Sequence, residues 1–329
     1  TAAAAAKTEI RFEEQVLSPV AISIGSFQLK WYSLAYLFGI LLGYWYMGRM
    51  LKQPGAPMAQ RHADDLFFYC TLGVILGGRL GYAAFYTGGE TGIPSAFTDF
   101  SGDGVVSWKL LRLWDGGMAF HGGLIGVTVA MAYVAWRDKL NFIRVVDYVA
   151  VGVPMGMLLG RLANFINGEL WGRVTTVPWG LVFPRAGDLP RHPSQLYQAG
   201  LEGLAMLVIM LALFWLTRAR YRPGLLAGVF TTGMGLARFV NEFFREPDQQ
   251  LADFAARTGL SMGQWLTIPL ILTGLIVVLF ALRKPPLIGR LPQRDALWQA
   301  WTRCVREGRK SATRMRADMQ ATQLSQLGR

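Results

Sequence analysis

Apolar residues in this chain run in long, nearly unbroken stretches, not in the alternating or one-sided patterns of a water-soluble fold. Windows near positions 31–50, 66–87, 118–136, 145–167, 195–216, 225–244 and 264–282 reach the length of about 20 residues that a helix needs to cross a bilayer. The pattern predicts an all-α, polytopic membrane protein with about seven transmembrane helices. The first 30 residues alternate weakly and read as a short interfacial segment. Residues 88–117 are rich in Gly, Ser and Asp and read as an external loop with an interfacial turn around Trp108 and Trp114. Residues 283–329 are polar and basic, with a helical pattern in Leu297, Trp298, Trp301 and Val305, and suit a cytoplasmic helix on anionic lipid. The expected organisation is therefore an external segment (1–30), a seven-helix body (31–282) and a basic tail (283–329).

Charge gives the body a direction. Seven spans put the termini on opposite sides. One side collects Arg49, Lys52, Arg61, Arg137, Lys139, Arg144, Arg218, Arg220 and Arg222, and eleven more lysines and arginines in the tail. The other side has ten, spread among Glu90, Asp99, Asp103, Asp115, Asp188 and Asp248. The positive-inside rule then places the N-terminus in the periplasm and the tail in the cytoplasm.

Composition narrows the chemistry. The chain has 329 residues, 52% hydrophobic and only 16% charged, as in membrane proteins. A net charge of +12 would suggest nucleic acid in a soluble protein. Here the charge sits in loops and tail, so lipid headgroups account for it and no nucleic-acid partner is expected. The opening Thr-Ala-Ala-Ala-Ala-Ala-Lys has neither a methionine nor a signal-peptide apolar core, and reads as processed or appended sequence. Cys70 and Cys304 form no framework. Three histidines without a His-x-x-x-His or Cys-x-x-Cys spacing give no metal site. No Walker loop is present, and no cofactor is expected. Nothing requires a partner subunit, so a monomer is expected.

Placed by depth, the polar residues converge. Residues 161–173, Arg-Leu-Ala-Asn-Phe-Ile-Asn-Gly-Glu-Leu-Trp-Gly-Arg, close the fourth apolar run. Arg161, Asn164 and Asn167 are one turn apart and share a face. An arginine at a membrane-helix centre costs roughly 2.5–3.5 kcal/mol on insertion scales, and such residues usually face a cavity or a substrate. Tyr32, Arg79, His121, His192, Ser194, Gln195, Tyr197, Arg238, Asn241 and Glu242 fall in the same outer leaflet, while the inner halves look nearly free of ionisable groups. Individually each has a plainer role: Arg79 as a snorkelling cation, Arg238 and Glu242 as an ion pair at i and i+4, His121 as a helix-start residue between glycines, Trp171 and Trp179 as interfacial anchors. Together, arginines, an imidazole, amides and tyrosine hydroxyls at one depth suit a phosphate-bearing lipid headgroup. A channel or transporter for an anionic solute is the competing class, but would place polar residues through both leaflets. The Gly-xxx-Gly pairs 39/43, 73/77, 77/81, 122/126 and 156/160 read as close helix packing.

At these motifs the sequence resembles the prolipoprotein diacylglyceryl transferases of bacterial inner membranes, from about residue 20 to residue 282. The resemblance rests on Trp31-Tyr32, Leu76-Gly-Gly-Arg-Leu-Gly-Tyr82, the block from Trp114 through His121 to Gly126, and residues 161–173. Arg191-His-Pro-Ser-Gln-Leu-Tyr197, the block from Arg238 to Asp248 and Ser261-Met-Gly-Gln264 follow in order. Ala119 stands where the family commonly has serine and Ala163 where it commonly has glycine. The loop 174–190 is short, and the tail after 283 is outside the match. The resemblance implies transfer of the diacylglyceryl group of phosphatidylglycerol to the lipobox cysteine of a prolipoprotein, with glycerol 1-phosphate leaving. It makes His121, Arg161, Arg238 and Tyr32 the catalytic candidates. Arg161, Asn164, Glu169, Gly172, Glu242, His192 and Arg79 are the substrate-binding candidates, with Gly168 and Gly172 letting the external turn approach the lipid.

Overall fold

The computed structural model describes residues 10–11, 20–24, 27–86, 101–102, 105–106, 118–245 and 259–287. Long helices dominate them. After β1 (Ile10–Arg11) a hairpin pairs β2 (Val20–Ile24) with β3 (Phe27–Lys30) and feeds directly into α1 (Trp31–Leu51) and α2 (Gln60–Tyr86). The weak alternation of the first 30 residues thus becomes strand where it is described. The short β4 (Ser101–Gly102) and β5 (Val105–Val106) pair antiparallel before α3 (Phe120–Arg137) and α4 (Phe142–Ile166). Then β6 (Leu181–Val182) pairs parallel with β1. Helix α5 (Ser194–Leu216) contains a π-helical stretch at Ala199–Ala205, and α6 (Leu225–Asn241) and α7 (Met262–Arg283) follow. The expected turn around Trp108 and Trp114 and nearly all of the tail lie outside the described residues.

Among the described residues, seven long helices coincide with the seven apolar windows. Four, in α2, α4, α5 and α7, are long and apolar enough to cross a membrane by length and composition. The outer surfaces of the long helices fit a lipid solvent: Leu37, Phe38 and Trp45 on α1, and Leu266, Leu272, Ile276 and Phe280 on α7, are all exposed. A soluble monomer rarely tolerates patches of that size.

Glycine, not large side chains, sets the closest helix contacts. A Cβ at Gly77 or Gly122 would fall onto the other's carbonyl oxygen, and Gly73 and Gly126 repeat this one turn along α2 and α3. Gly39 meets Gly156 between α1 and α4, where a Cβ would come within 3.1 Å of the opposing Cα. A Cβ on Gly156 or Gly160 itself would meet nothing within 4 Å, so Gly39 is the constrained partner. Further close approaches, Gly228 to Gly274 on α6 and α7 and Gly203 to Leu158 on α5 and α4, lack the tandem spacing. Backbone proximity of this kind substitutes dispersion for the absent hydrophobic drive between helices in lipid.

The interior is divided by polarity. Met50, Val134, Val145, Tyr148, Met210, Phe214 and Leu226 form an apolar core at the end of the bundle where α1 and α5 finish and α4 and α6 start. Buried Asn164, Gln195, Gln198, Glu202, Asn241 and Glu242 occupy the opposite end. One ionisable group stands within the apolar end. Asp147, 2% exposed, sits inside the apolar run of α4. Its carboxylate accepts the Gly224 amide at 2.7 Å and the Ala227 amide at 2.8 Å, capping α6 from a neighbouring helix. A helix start otherwise leaves these donors without partners.

Candidate functional site

At the polar end, α4 finishes beside the start of α5 and the end of α6. Arg161, in the last turns of α4, donates from Nη2 to Oε2 of Glu202 at 3.3 Å. Glu202 lies in the π-helical stretch of α5 and is 1% exposed, with its second oxygen Oε1 unpartnered. Arg238 on α6 pairs with Glu242 at 3.6 Å, the expected i,i+4 contact. Arg238 also stands in the field of Glu202, Arg161 and Arg245. Two arginines from two helices therefore share one basin with two buried glutamates.

The turn after α4 folds back onto it. Gly168 and Leu170 adopt φ of 62° and 59°, reversing the chain so that Glu169 returns to the helix end. Its Oε1 accepts Asn164 Nδ2 at 2.8 Å and Asn167 Nδ2 at 3.2 Å. From α5, Gln195 Nε2 donates to the Glu169 carbonyl at 2.6 Å and Ser194 Oγ to the Leu170 carbonyl at 2.8 Å. Tyr32, in the first turn of α1, is in the field of Glu169 and Arg161, and its hydroxyl donates to that of Tyr36 at 3.3 Å. Around this group Asn167 Oδ1, Gln195 Oε1, Gln198 Oε1 and both side-chain polar atoms of Asn241 are buried without a hydrogen-bond partner. A buried polar atom left so costs about 1–3 kcal/mol. An anion bearing hydroxyl groups would satisfy both the cations and these acceptors.

Other expected residues take different places. His192 Nδ1 lies 3.1 Å from the Tyr197 hydroxyl, and its ring packs edge-on against Phe244 at 5.3 Å. Burial holds its pKa below the ordinary histidine value. Its carbonyl accepts the Gly172 amide at 2.9 Å while the Arg173 amide reaches the Phe244 carbonyl at 2.9 Å, so the segments after α4 and α6 and the one before α5 are braced together. Gly172 is required at that crossing. An added Cβ would strike the Phe244 carbonyl and sit 2.8 Å from His192 Cβ. Chain crossing, not lipid approach, is the reason visible for this glycine.

Arg79 is buried on α2 with its guanidinium 5.6 Å from the Tyr82 ring. His121 is exposed in the first turn of α3, beside the Gly122 crossing. Among the described residues, no hydrogen bond or ion pair joins either to Arg161. Trp171 stacks on Phe183 at 6.3 Å, whereas Trp179 is exposed and donates to the Tyr197 hydroxyl at 2.7 Å.

Glu202 is the residue that sequence reading passed over. Its signal was present: Glu202 is seven residues after Gln195 and four after Gln198, hence on one helical face.

Residues 19–280 match the family model for prolipoprotein diacylglyceryl transferase. The chain belongs to that family. The match begins just before β2 and ends within α7, so it takes in the whole polar end and leaves out the tail. A phosphatidylglycerol–prolipoprotein diacylglyceryl transferase of Erythrobacter litoralis is 59% identical over 281 residues, covering 85% of this chain and 95% of the relative. The same-named protein of Zymomonas mobilis is 45% identical over 287 residues, with 84% and 95% covered. That of Rhodospirillum rubrum is 45% identical over 273 residues, with 82% and 94% covered. Membership in the prolipoprotein diacylglyceryl transferase family spans the helical body almost end to end.

Proposed function

We propose that the basin around Arg161 and Arg238 binds phosphatidylglycerol and passes its diacylglyceryl group to the lipobox cysteine of a prolipoprotein. As a member of its family the chain is a bacterial membrane transferase. The observation that carries the site assignment is the convergence of Arg161 and Arg238, each paired with a buried glutamate, from two different helices.

The cysteine thiolate attacks the glyceryl carbon that bears the phosphate ester. A C–S bond forms, the C–O bond breaks, and glycerol 1-phosphate leaves, so the peptide gains a thioether. The phosphodiester carries one negative charge and the departing monoester nearly two. Fixed guanidinium groups at that phosphate therefore stabilise the transition state more than the bound lipid. Arg161 takes the phosphate and Arg238 shares its charge. Asn164 and Tyr32 orient the headgroup, Glu169 fixes Asn164, and Glu242 fixes Arg238. Unpartnered Gln195 and Gln198 carbonyl oxygens accept the headgroup hydroxyls.

A free thiol has a pKa of about 8.5 and is mostly protonated at neutral pH. His121, exposed beside the glycine crossing, is the candidate to take its proton. A His121→Gln variant with an unchanged pH–rate profile would remove that role.

The body spans the bacterial inner membrane seven times, with the N-terminus and the Arg161 basin on the periplasmic side. The chain works as a monomer. The test supplies purified protein with phosphatidylglycerol and a lipobox peptide. A diacylglyceryl mass increase is expected on the peptide and none when its cysteine is replaced by serine. Solute flux without a covalent product would instead favour the anion-transporter reading.

A further inference from the structure

A second basic site lies at the opposite end of α1. Tyr32 and Arg49 are separated by roughly 25 Å along that helix at 1.5 Å per residue. There, a cavity of about 540 Å³ is lined by Trp45, Tyr46, Arg49, Lys52, Gln53 and Trp215. The last turn of α1 and the residue after it supply the cations Arg49 and Lys52, and α5 supplies Trp215.

Its chemistry is specific. The Arg49 guanidinium lies 4.9 Å from the centre of the Trp45 ring, another residue of the lining. Among the described residues, neither Arg49 nor Lys52 has a carboxylate partner. The Trp215 indole donates to the Tyr46 hydroxyl at 2.5 Å, tying α1 to α5 beside the cavity. That leaves the Tyr46 hydroxyl proton available to an acceptor. Trp45 and Trp215 are 54% and 39% exposed, so two indoles rim the site. Indoles of this kind sit at the headgroup level of a bilayer, with ring face toward the chains and polar edge toward water. Two unpaired cations and a hydroxyl donor inside such a rim match a phosphate attached to a lipid, not a soluble anion. Basic pockets between membrane helices on the cytoplasmic side hold lipid headgroups in this way.

We infer that the cleft between the ends of α1 and α5 binds the phosphate of an anionic phospholipid in the leaflet opposite the Arg161 basin. The leaflet is the cytoplasmic one on the orientation proposed above. The lipid there is not consumed: among the described residues, no thiol, imidazole or carboxylate lines the cleft. Its role is to neutralise Arg49 and Lys52 and to tie α1 to α5.

The full chain is reconstituted in phosphatidylcholine nanodiscs containing a headgroup-photoactivatable phosphatidylglycerol, and the labelled peptides are mapped. Label is expected on residues 45–53 and around Trp215. It should fall at least about tenfold in an Arg49→Gln/Lys52→Gln variant, since each cation near a lipid surface contributes substantially to binding. The charge-conserving Arg49→Lys/Lys52→Arg variant should retain it, and transfer activity at saturating phosphatidylglycerol should persist in both. Label at this cleft should also survive Arg161→Gln, separating it from the transferase basin. Equal labelling by a photoactivatable phosphatidylcholine, or unchanged labelling in the double glutamine variant, overturns the inference. Suppression by excess inorganic phosphate or glycerol phosphate overturns the lipid assignment in favour of a soluble phosphate.

Discussion

Arg161 and Glu202 meet at 3.3 Å with unequal exposure: the glutamate side chain is 1% accessible and the arginine side chain 21%. Glu202 thus holds Arg161 from the more buried side, through one of its terminal nitrogens. A guanidinium carries five donors in a fixed fork, so one tie leaves most of them for a phosphate.

Arg161→Gln should lower kcat for diacylglyceryl transfer by about 100-fold or more, the usual loss when a donor to developing charge is removed. Arg161→Lys should recover only part of it, because a point charge lacks the planar fork. Steady-state transfer to a lipobox peptide in phosphatidylglycerol vesicles measures both. Normal activity in a folded Arg161→Gln protein would falsify the phosphate role.

Glu202→Gln removes the charge behind Arg161 but keeps a hydrogen-bonding amide. Activity should drop about tenfold, less than for loss of the arginine itself. The stability cost should be below the roughly 3–5 kcal/mol of a fully buried broken pair, since Arg161 keeps contact with solvent. Wild-type kinetics in this variant would show that Glu202 does not position the guanidinium.

The glycine crossing between α2 and α3 gives an internal control. Gly77→Val should destabilise by about 1–3 kcal/mol or more through overpacking, because its Cβ would enter the Gly122 carbonyl. Gly160→Ala, with nothing within 4 Å of the new Cβ, should be neutral or stabilising by about 0.5–1 kcal/mol. Thermal unfolding in detergent compares the two, and similar shifts would contradict the packing described.

His192 predicts a pH dependence. Its folded pKa lies below the ordinary value because burial disfavours the imidazolium. The unfolded chain therefore binds the proton more readily, and stability falls as pH drops through about 6.5, levelling off below the folded pKa. Above that range the contribution is complete. His192→Gln should flatten this part of the stability–pH curve, and an unaltered slope would assign it to other groups.

Asp147→Ala should cost about 1–3 kcal/mol, the penalty of leaving buried amides without an acceptor. Transfer per folded molecule should be preserved, because Asp147 lies at the apolar end of α4. Equal losses of activity and stability in Asp147→Asn and Asp147→Ala would argue against a capping role.

Much of this protein is legible from one dimension. Helix positions follow from apolar run length, because lipid leaves the backbone no hydrogen-bond partner but itself. The convergence of Arg161, Asn164, Arg238 and Glu242 follows from depth, because charge is costly in hydrocarbon and collects where a ligand or counter-ion can offset it. The tandem glycines of α2 and α3 announce their contact by spacing. What spacing cannot supply is a partner on another helix. Glu202 behind Arg161, Asp147 at the start of α6, Gly172 at the crossing with Phe244, and the pairing of Tyr46 with Trp215 all join residues far apart in sequence. Each is decided by which helix faces stand together, and only the packed bundle determines that.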